Sequence, residues 1–387
     1  MTIEYLPAGI KCNLKCTYCY QEPMRDAGNF SAPLDFARVR KALDRTGSDF
    51  ALFGGEPLLS SMEHLDEVFA YGYEKHKKNG IQTNGLLITP AHIDLFKKYN
   101  VQVGVSIDGP DSLNRARSTD YETDCIINNI RDLTCERVST SLIVTIHLLN
   151  YREIDRLLYF FSEMESYGIK WINLHNLEVD NQETDESLYL GNDMNFDAFS
   201  RIYDYSKGGE VTFQPFLDIN NLLTKTKPQT SCIWGACDPI TTPAVHGVDA
   251  SGNLTNCGRT NKDGINYLKA SGVSSTERYQ ALARTHWDHG GCKDCDYFFV
   301  CKGQCPGTAI DGDWRNRTQD CEFWWSLIAY QRLDLVKNGV EVLDLDKANR
   351  DFLQAMEGNV DYPHGDSPHG DSHGDHTDYA IKLQLVK

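Results

Sequence analysis

Cys12, Cys16 and Cys19 stand in a C-x3-C-x2-C array within the run Lys11-Cys12-Asn13-Leu14-Lys15-Cys16-Thr17-Tyr18-Cys19-Tyr20. Three thiolates in one tight loop are one short of the four that a [4Fe–4S] cluster normally takes. The array therefore implies either an iron left open for another ligand or a remote fourth ligand. The competing chemistry is zinc, for which Cys-x2-Cys pairs are common ligands, although x3-then-x2 spacing is unusual for that metal.

A second set of cysteines lies far downstream. Cys237 and Cys257 flank Gly252 in a C-x14-G-x4-C pattern, and Cys292, Cys295, Cys301 and Cys305 follow as C-x2-C-x5-C-x3-C, with Cys321 beyond. Cys232 adds an eighth thiol to this half of the chain. Eight thiolates can fill two four-iron clusters or two tetrahedral zinc sites. The chain opens MTIEYLPAGIK, without a basic segment followed by an apolar core, so no signal peptide is expected. No apolar run approaches the ~18 residues that would span a bilayer. A reducing, cytoplasmic setting with no membrane partner follows, in which thirteen cysteines serve metals rather than disulfides. Cys125 and Cys135 fall in an ordinary helical stretch and are given no role.

The elements that must position these thiols alternate. Short β-branched runs at Ile3–Leu6, Asp49–Phe53, Gly80–Thr83, Val101–Ile107, Thr140–His147 and Lys170–Leu174 are separated by amphipathic stretches such as Leu58–Lys78, Pro90–Lys98 and Asn150–Tyr167. That alternation predicts βα units and a parallel sheet, with the chemistry at the C-terminal strand ends, as in α/β barrels. Polar and glycine-bearing turns fall at those ends: Gly54-Gly55-Glu56-Pro57 after the second run, Gln82-Thr83-Asn84-Gly85 after the third, Ser106-Ile107-Asp108-Gly109-Pro110 after the fourth. Glycines let backbone approach a ligand closely, and Glu56 can accept a charge-assisted hydrogen bond from an ammonium group.

With the three-Cys loop and its aromatic Tyr18, these turns resemble the radical S-adenosylmethionine (radical SAM) enzymes, whose fold is a partial (β/α)6 TIM-like barrel. The resemblance implies that the open iron chelates SAM, that Gly55 and Glu56 hold its amine, that Ser106 bonds its ribose or carboxylate, and that Tyr18 lies near its adenine. An arginine should pair with the SAM carboxylate. Related chains often read His-Asp-x-x-Arg there, whereas here Asn114-Arg115-Ala116-Arg117 sets the arginine one position early. Arg117 is the expected contact and Arg115 the alternative. The downstream cysteines resemble the SPASM extension of such enzymes. By that resemblance Cys232, Cys237, Cys257 and Cys305 hold auxiliary cluster I, and Cys292, Cys295, Cys301 and Cys321 hold cluster II, giving three [4Fe–4S] clusters in all. The implied domains are a barrel over 1–215, a SPASM domain over 216–325, a helical segment over 326–360 and a low-complexity His-Gly-Asp tail over 361–387. Helices are expected at Phe323–Lys337 and Asp346–Glu357, the acidic stretch Glu178–Asp197 as a solvated loop or lid, and the tail as disordered.

The net charge of −17 argues against a nucleic-acid partner. The SPASM resemblance points to a peptide or protein substrate and to a reductant such as flavodoxin or ferredoxin. The first expectation is a maturase of ribosomally made peptides, giving an oxidised or cross-linked product. With about eleven residues before Cys12, leader binding would fall to the acidic loop, the C-terminal region or a separate recognition protein, unless no leader is used. The alternatives are a sulfatase-maturing, formylglycine-generating enzyme and a dehydrogenase of a small alcohol or sugar. A non-catalytic iron–sulfur carrier is disfavoured, since it has no use for the SAM motifs. Sulfatase-maturing relatives place an acidic base directly after the cysteine matching Cys257, where this chain has Gly258 followed by Arg259. The general base is therefore not identified by sequence.

Overall fold

A computed structural model describes residues 3–22, 25, 34–178, 186–224, 230, 232–235, 246–255, 257, 259 and 277–358. Cys237, Gly258 and the His-Gly-Asp tail lie outside the described residues. The chain divides into two compact units, one of Thr2–Pro215 with His246–Asn266, the other of Phe216–Val245 with Tyr267–Lys387.

The first unit is built on one sheet. Strands β1 (Ile3–Tyr5), β2 (Phe50–Leu52), β3 (Asn79–Thr83), β4 (Val101–Ser106), β5 (Thr140–Ile146) and β6 (Trp171–Asn176) match the six expected runs to within a few residues. All pair in parallel with their sequence neighbours. Along each strand alternate residues are buried, as in β6, where Ile172, Leu174 and Asn176 are covered while Trp171, Asn173 and His175 are not. One face thus packs under the crossover helices and the other stays open and polar. This mixed α/β unit on a parallel sheet fits the expected partial barrel.

Three further strands were not legible. β7 (Thr212–Gln214) extends the sheet beyond β6, and β8 (His246–Val248) pairs in parallel with the opposite edge, on β1. β9 (Leu254–Thr255) folds back antiparallel on β8. The order is β7-β6-β5-β4-β3-β2-β1-β8-β9. With two or three residues each, these strands carry too little alternation to register. The β8–β9 hairpin falls in the stretch expected to belong to the auxiliary domain, yet its hydrogen bonds join it to the barrel sheet. Gly252 closes this hairpin with φ near +79°, and a Cβ there would meet the Arg38 carbonyl carbon at 2.6 Å. The glycine of the C-x14-G-x4-C pattern is thus fixed by a positive φ and by close packing on the helix Phe36–Thr46.

The acidic stretch departs from its reading as a solvated loop. Beyond the undescribed residues, Glu186–Leu188 forms a 3-10 turn and Gly191–Ser206 a helix that buries Asn195, Ala198, Phe199 and Ile202. The apolar spacing of that helix outweighs the charge of the segment. In the second unit the helices Cys321–Lys337 and Leu345–Gly358 occupy the expected places.

Candidate active site

The three-Cys loop is seated by the turn after β2. Gly55 N–H donates to Gly9 O at 3.1 Å, and Glu56 N–H to Lys11 O at 2.7 Å. A Cβ on Gly55 would lie 2.1 Å from Lys11 O and 2.3 Å from Ile10 O. The glycine is there because the backbone entering the cysteine loop lies directly against it. Glu56 is fully buried. Its Oε1 accepts from Leu58 N–H at 2.9 Å and Thr83 Oγ1 at 2.8 Å, and its Oε2 from Asn84 N–H at 2.8 Å. The carboxylate therefore ties the ends of β2 and β3 together, a role that the GGEP motif alone did not disclose. Asn84 extends the tie to the cysteine loop, donating to Asn13 Oδ1 at 2.8 Å.

Within the loop, Cys19 N–H donates to Cys16 O at 3.0 Å, and Thr17 N–H to Ala116 O at 2.8 Å. The Cys16 thiol faces Arg117 O at 3.9 Å. Arg25 brings its guanidinium to Cys19 Sγ at 3.3 Å and to Ile10 O at 3.1 Å. Burial pushes the Cys16 thiol up to about 11, with Arg117 pulling the other way and Cys19 and Cys12 adding to the rise. The three thiols thus share one electrostatic environment. No group of three His, Cys, Asp or Glu among the described residues is set closely enough to hold a single metal ion.

Next to this loop sits a buried polar network that sequence reasoning mostly missed. Asp108, fully buried, accepts from Tyr18 Oη and from Thr145 N–H at 2.9 Å, with His147 Nε2 at 3.3 Å. Arg117 donates to Tyr18 Oη at 2.7 Å and lies 3.9 Å from the Asp108 carboxylate. Burial works against the Asp108 charge, but Arg117 and the His147 and Tyr18 hydrogen bonds outweigh it, holding the carboxyl below its ordinary value. Arg117 Nε and His147 Nδ1 are buried without a protein partner. Arg115, by contrast, is exposed and bidentate to Asp120 at 2.9 and 3.0 Å. Of the two candidate arginines, only Arg117 turns into the site. Ser106 is buried at the end of β4, one pleat from this network.

The open face of β6 carries a second group. His175 stands at its C-terminal end, and beyond the strand Glu178 Oε1 accepts from Arg259 at 2.8 Å. Tyr20 feels Glu4, Cys19, Arg259 and Cys257 together. The segment after β9 therefore reaches the neighbourhood of the three-Cys loop.

In the second unit, Cys292, Cys295, Cys301 and Cys321 line one pocket with Tyr297, Arg317 and Trp325. Burial raises all four thiols, and Cys321 adds to the rise of Cys292, Cys295 and Cys301. Cys321 opens a 17-residue helix, whose N-terminal dipole favours a thiolate. Fully buried Arg278 holds the loop in place, donating to the carbonyls of Trp314, Lys302, Gly303, Gln304 and Asn316 at 2.8–3.3 Å. These are the four cysteines expected for cluster II. Of the set expected for cluster I, Cys305 is buried, Cys232 begins a 3-10 turn and Cys257 follows β9.

Residues 6–161 match the Radical SAM superfamily. The chain carries a radical SAM domain. It is 23% identical to the Cysteine-type anaerobic sulfatase-maturating enzyme of Clostridium novyi (strain NT) over 330 residues, 77% of this chain and 86% of that protein. It is 23% identical to the Serine-type anaerobic sulfatase-maturating enzyme of Bacteroides thetaiotaomicron over 345 residues, 78% of this chain and 81% of that one. Its fold is similar to a solved structure of native anSMEcpe with bound AdoMet and Cp18Cys peptide, at a TM-score of 0.67 and 18% identity over 88% of this chain and 99% of that one. The radical SAM domain takes SAM on a [4Fe–4S] cluster, and the SPASM-type cysteines beyond it belong with auxiliary clusters. Among the described residues no helix is long and apolar enough to cross a membrane.

These relatives correct the first functional expectation. Over most of its length the chain resembles sulfatase-maturating enzymes, which overturns the reading as a maturase of ribosomally made peptides giving an oxidised or cross-linked product. Gly258, which counts against formylglycine formation, is a single position. An absent carboxylate there removes one proton acceptor, not every acceptor around the site.

Proposed function

We propose that this chain is a radical SAM enzyme of the anaerobic sulfatase-maturating kind, oxidising a Cys or Ser side chain of a protein substrate to formylglycine. The observation that carries the reading is the match to relatives of both types over more than three quarters of the chain, with the motif residues gathered at one end of the sheet. When bound, SAM and a reduced [4Fe–4S] cluster supply the abstraction of a hydrogen atom from an unactivated carbon.

The chain's own residues bind and orient. Cys12, Cys16 and Cys19 hold the SAM cluster, with Arg25 placing positive charge on Cys19. Gly55 and Glu56 shape the turn that receives the SAM amine. Arg117, whose Nε is still without a partner, meets the carboxylate, and Ser106 closes the site from β4. Tyr18, fixed through its hydroxyl by Asp108 and Arg117, presents a stiff ring for the adenine. Cys292, Cys295, Cys301 and Cys321 hold an auxiliary cluster. A flavodoxin- or ferredoxin-type protein supplies the electron.

The test is anaerobic reconstitution followed by incubation with SAM, a reductant and peptides differing only in Cys or Ser at one position. A hydrazide-reactive aldehyde, formed together with 5′-deoxyadenosine, is the expected result. Nucleoside without aldehyde from either peptide would remove the reading, and the ratio between the two peptides decides the substrate type.

A further inference from the structure

We infer that His175 is the group that accepts the substrate's proton. The inference rests on the proposed oxidation of a Cys or Ser side chain and names the residue for one of its steps. Converting –CH2–SH to –CH=S removes two hydrogens. One leaves the β-carbon as a hydrogen atom, taken by the cofactor chemistry stated above. The other leaves sulfur as a proton, and the electron left behind passes to a one-electron acceptor of the iron–sulfur class. Water then adds to the thioaldehyde and hydrogen sulfide departs, leaving the aldehyde. A Ser substrate reaches –CH=O by the same two losses without hydrolysis. Each route needs a base at the substrate, and the structure limits which group it is.

The acidic and basic side chains at the C-terminal strand ends are nearly all engaged. Asp108 is buried and accepts from Tyr18, His147 and Thr145 N–H. Glu56 is buried and accepts from three donors. Glu178 is paired with Arg259. Glu4, on the open face of β1, has an interaction of its own. His147 has no accessible surface and is occupied by Asp108.

His175 differs on every count. It projects from the uncovered face of β6, it is accessible, and it makes no hydrogen bond or ion pair among the described residues. It occupies the end of the strand where α/β barrels place their catalytic groups. Burial and the Arg259 charge push it down to about 4, with Asp108 pulling weakly upward. At neutral pH it is an uncharged ring with a free lone pair. Arg259, paired with Glu178, lies close enough for its charge to act on His175.

The experiment uses the full chain, reconstituted anaerobically, and reads aldehyde formed per 5′-deoxyadenosine. In His175→Gln that ratio should fall by about 10²–10⁴, the range that a general base contributes. His175→Glu, which restores a proton acceptor, should recover much of it, as should free imidazole added to His175→Ala. A packing role would give neither rescue. Iron content is measured on each variant, so that lost clusters are not mistaken for a lost base. If the wild-type chain forms aldehyde and His175→Gln, with full iron, forms it at the same ratio, His175 is not the acceptor and the inference falls alone. Should the wild type form no aldehyde from Cys or Ser peptides, the proposed function fails and this step with it.

Discussion

Arg117 and Arg115 are two residues apart and the sequence offered either to SAM, but their surroundings separate them. Arg115 is an exposed partner of Asp120, and such solvent-screened pairs add little to stability. Arg115→Gln should leave SAM affinity and stability within about twofold of wild type. Arg117→Gln removes a buried charge beside Tyr18 and Asp108, so SAM affinity should fall by at least about tenfold, read by calorimetry on the reconstituted protein; equal losses in the two variants would contradict the assignment. At this scale the sequence was most legible where ligand number is dictated by chemistry. The cysteines could be counted against iron, whereas Asp108 and His147 could not be placed. Asp108 reads as part of a turn and His147 as the end of a strand run. Their pairing across β4 and β5 joins positions 39 residues apart, and no local pattern encodes that contact.

Turns, rather than strands, seat the clusters, and their glycines give the sharpest tests among the elements. Ala at position 55 would set its Cβ 2.1 Å from Lys11 O, a backbone atom with no freedom to yield. Gly55→Ala should displace the entrance of the cysteine loop. About four irons should be lost from the total on reconstitution while the second unit keeps its own. In that unit Arg278 donates to three carbonyls of the loop between Cys301 and Cys305 and to those of Trp314 and Asn316. Arg278→Met keeps the bulk of the side chain but leaves those acceptors without their donor, a cost of several kcal/mol. It should unfold the loop and lose auxiliary iron first, with the SAM cluster spectrum retained; loss of all clusters together would show that the loop does not depend on Arg278. The six long βα runs were legible because burial of one face imposes alternation on every strand. β7, β8 and β9 were not, because pairing with an existing sheet edge, not their own apolar content, makes them strands.

For the whole molecule, the two units carry buried acids that respond to pH in opposite senses. In the barrel unit Asp108 is held below its ordinary value. Its contribution is complete above the unfolded-state pKa of about 4 and is lost as pH falls through the lower folded value. In the second unit Asp218 is almost fully buried with Oδ1 unpartnered, and burial raises its carboxyl to about 7 against the pull of Lys302. Between about pH 4 and about pH 7 the unfolded chain ionises this residue while the folded chain keeps it protonated. The unfolded state then binds fewer protons, so stability declines as pH rises through that window and levels off above it. A separation of about three units corresponds to at most about 4 kcal/mol. Asp218→Asn removes the titration, and it should raise the melting temperature of the second unit at about pH 8 more than at about pH 5 while leaving the barrel transition in place. Calorimetry of the reconstituted chain at both pH values checks this. Identical shifts at both would mean that Asp218 is ionised throughout. The dependence belongs to the unit as folded, since Asp218 meets Lys302 only when the helix Phe216–Leu223 packs in the same unit as the cysteine loop. From sequence the two residues are 84 positions of unrelated chain apart, which is why cysteine counting found the clusters but not the acid beside them.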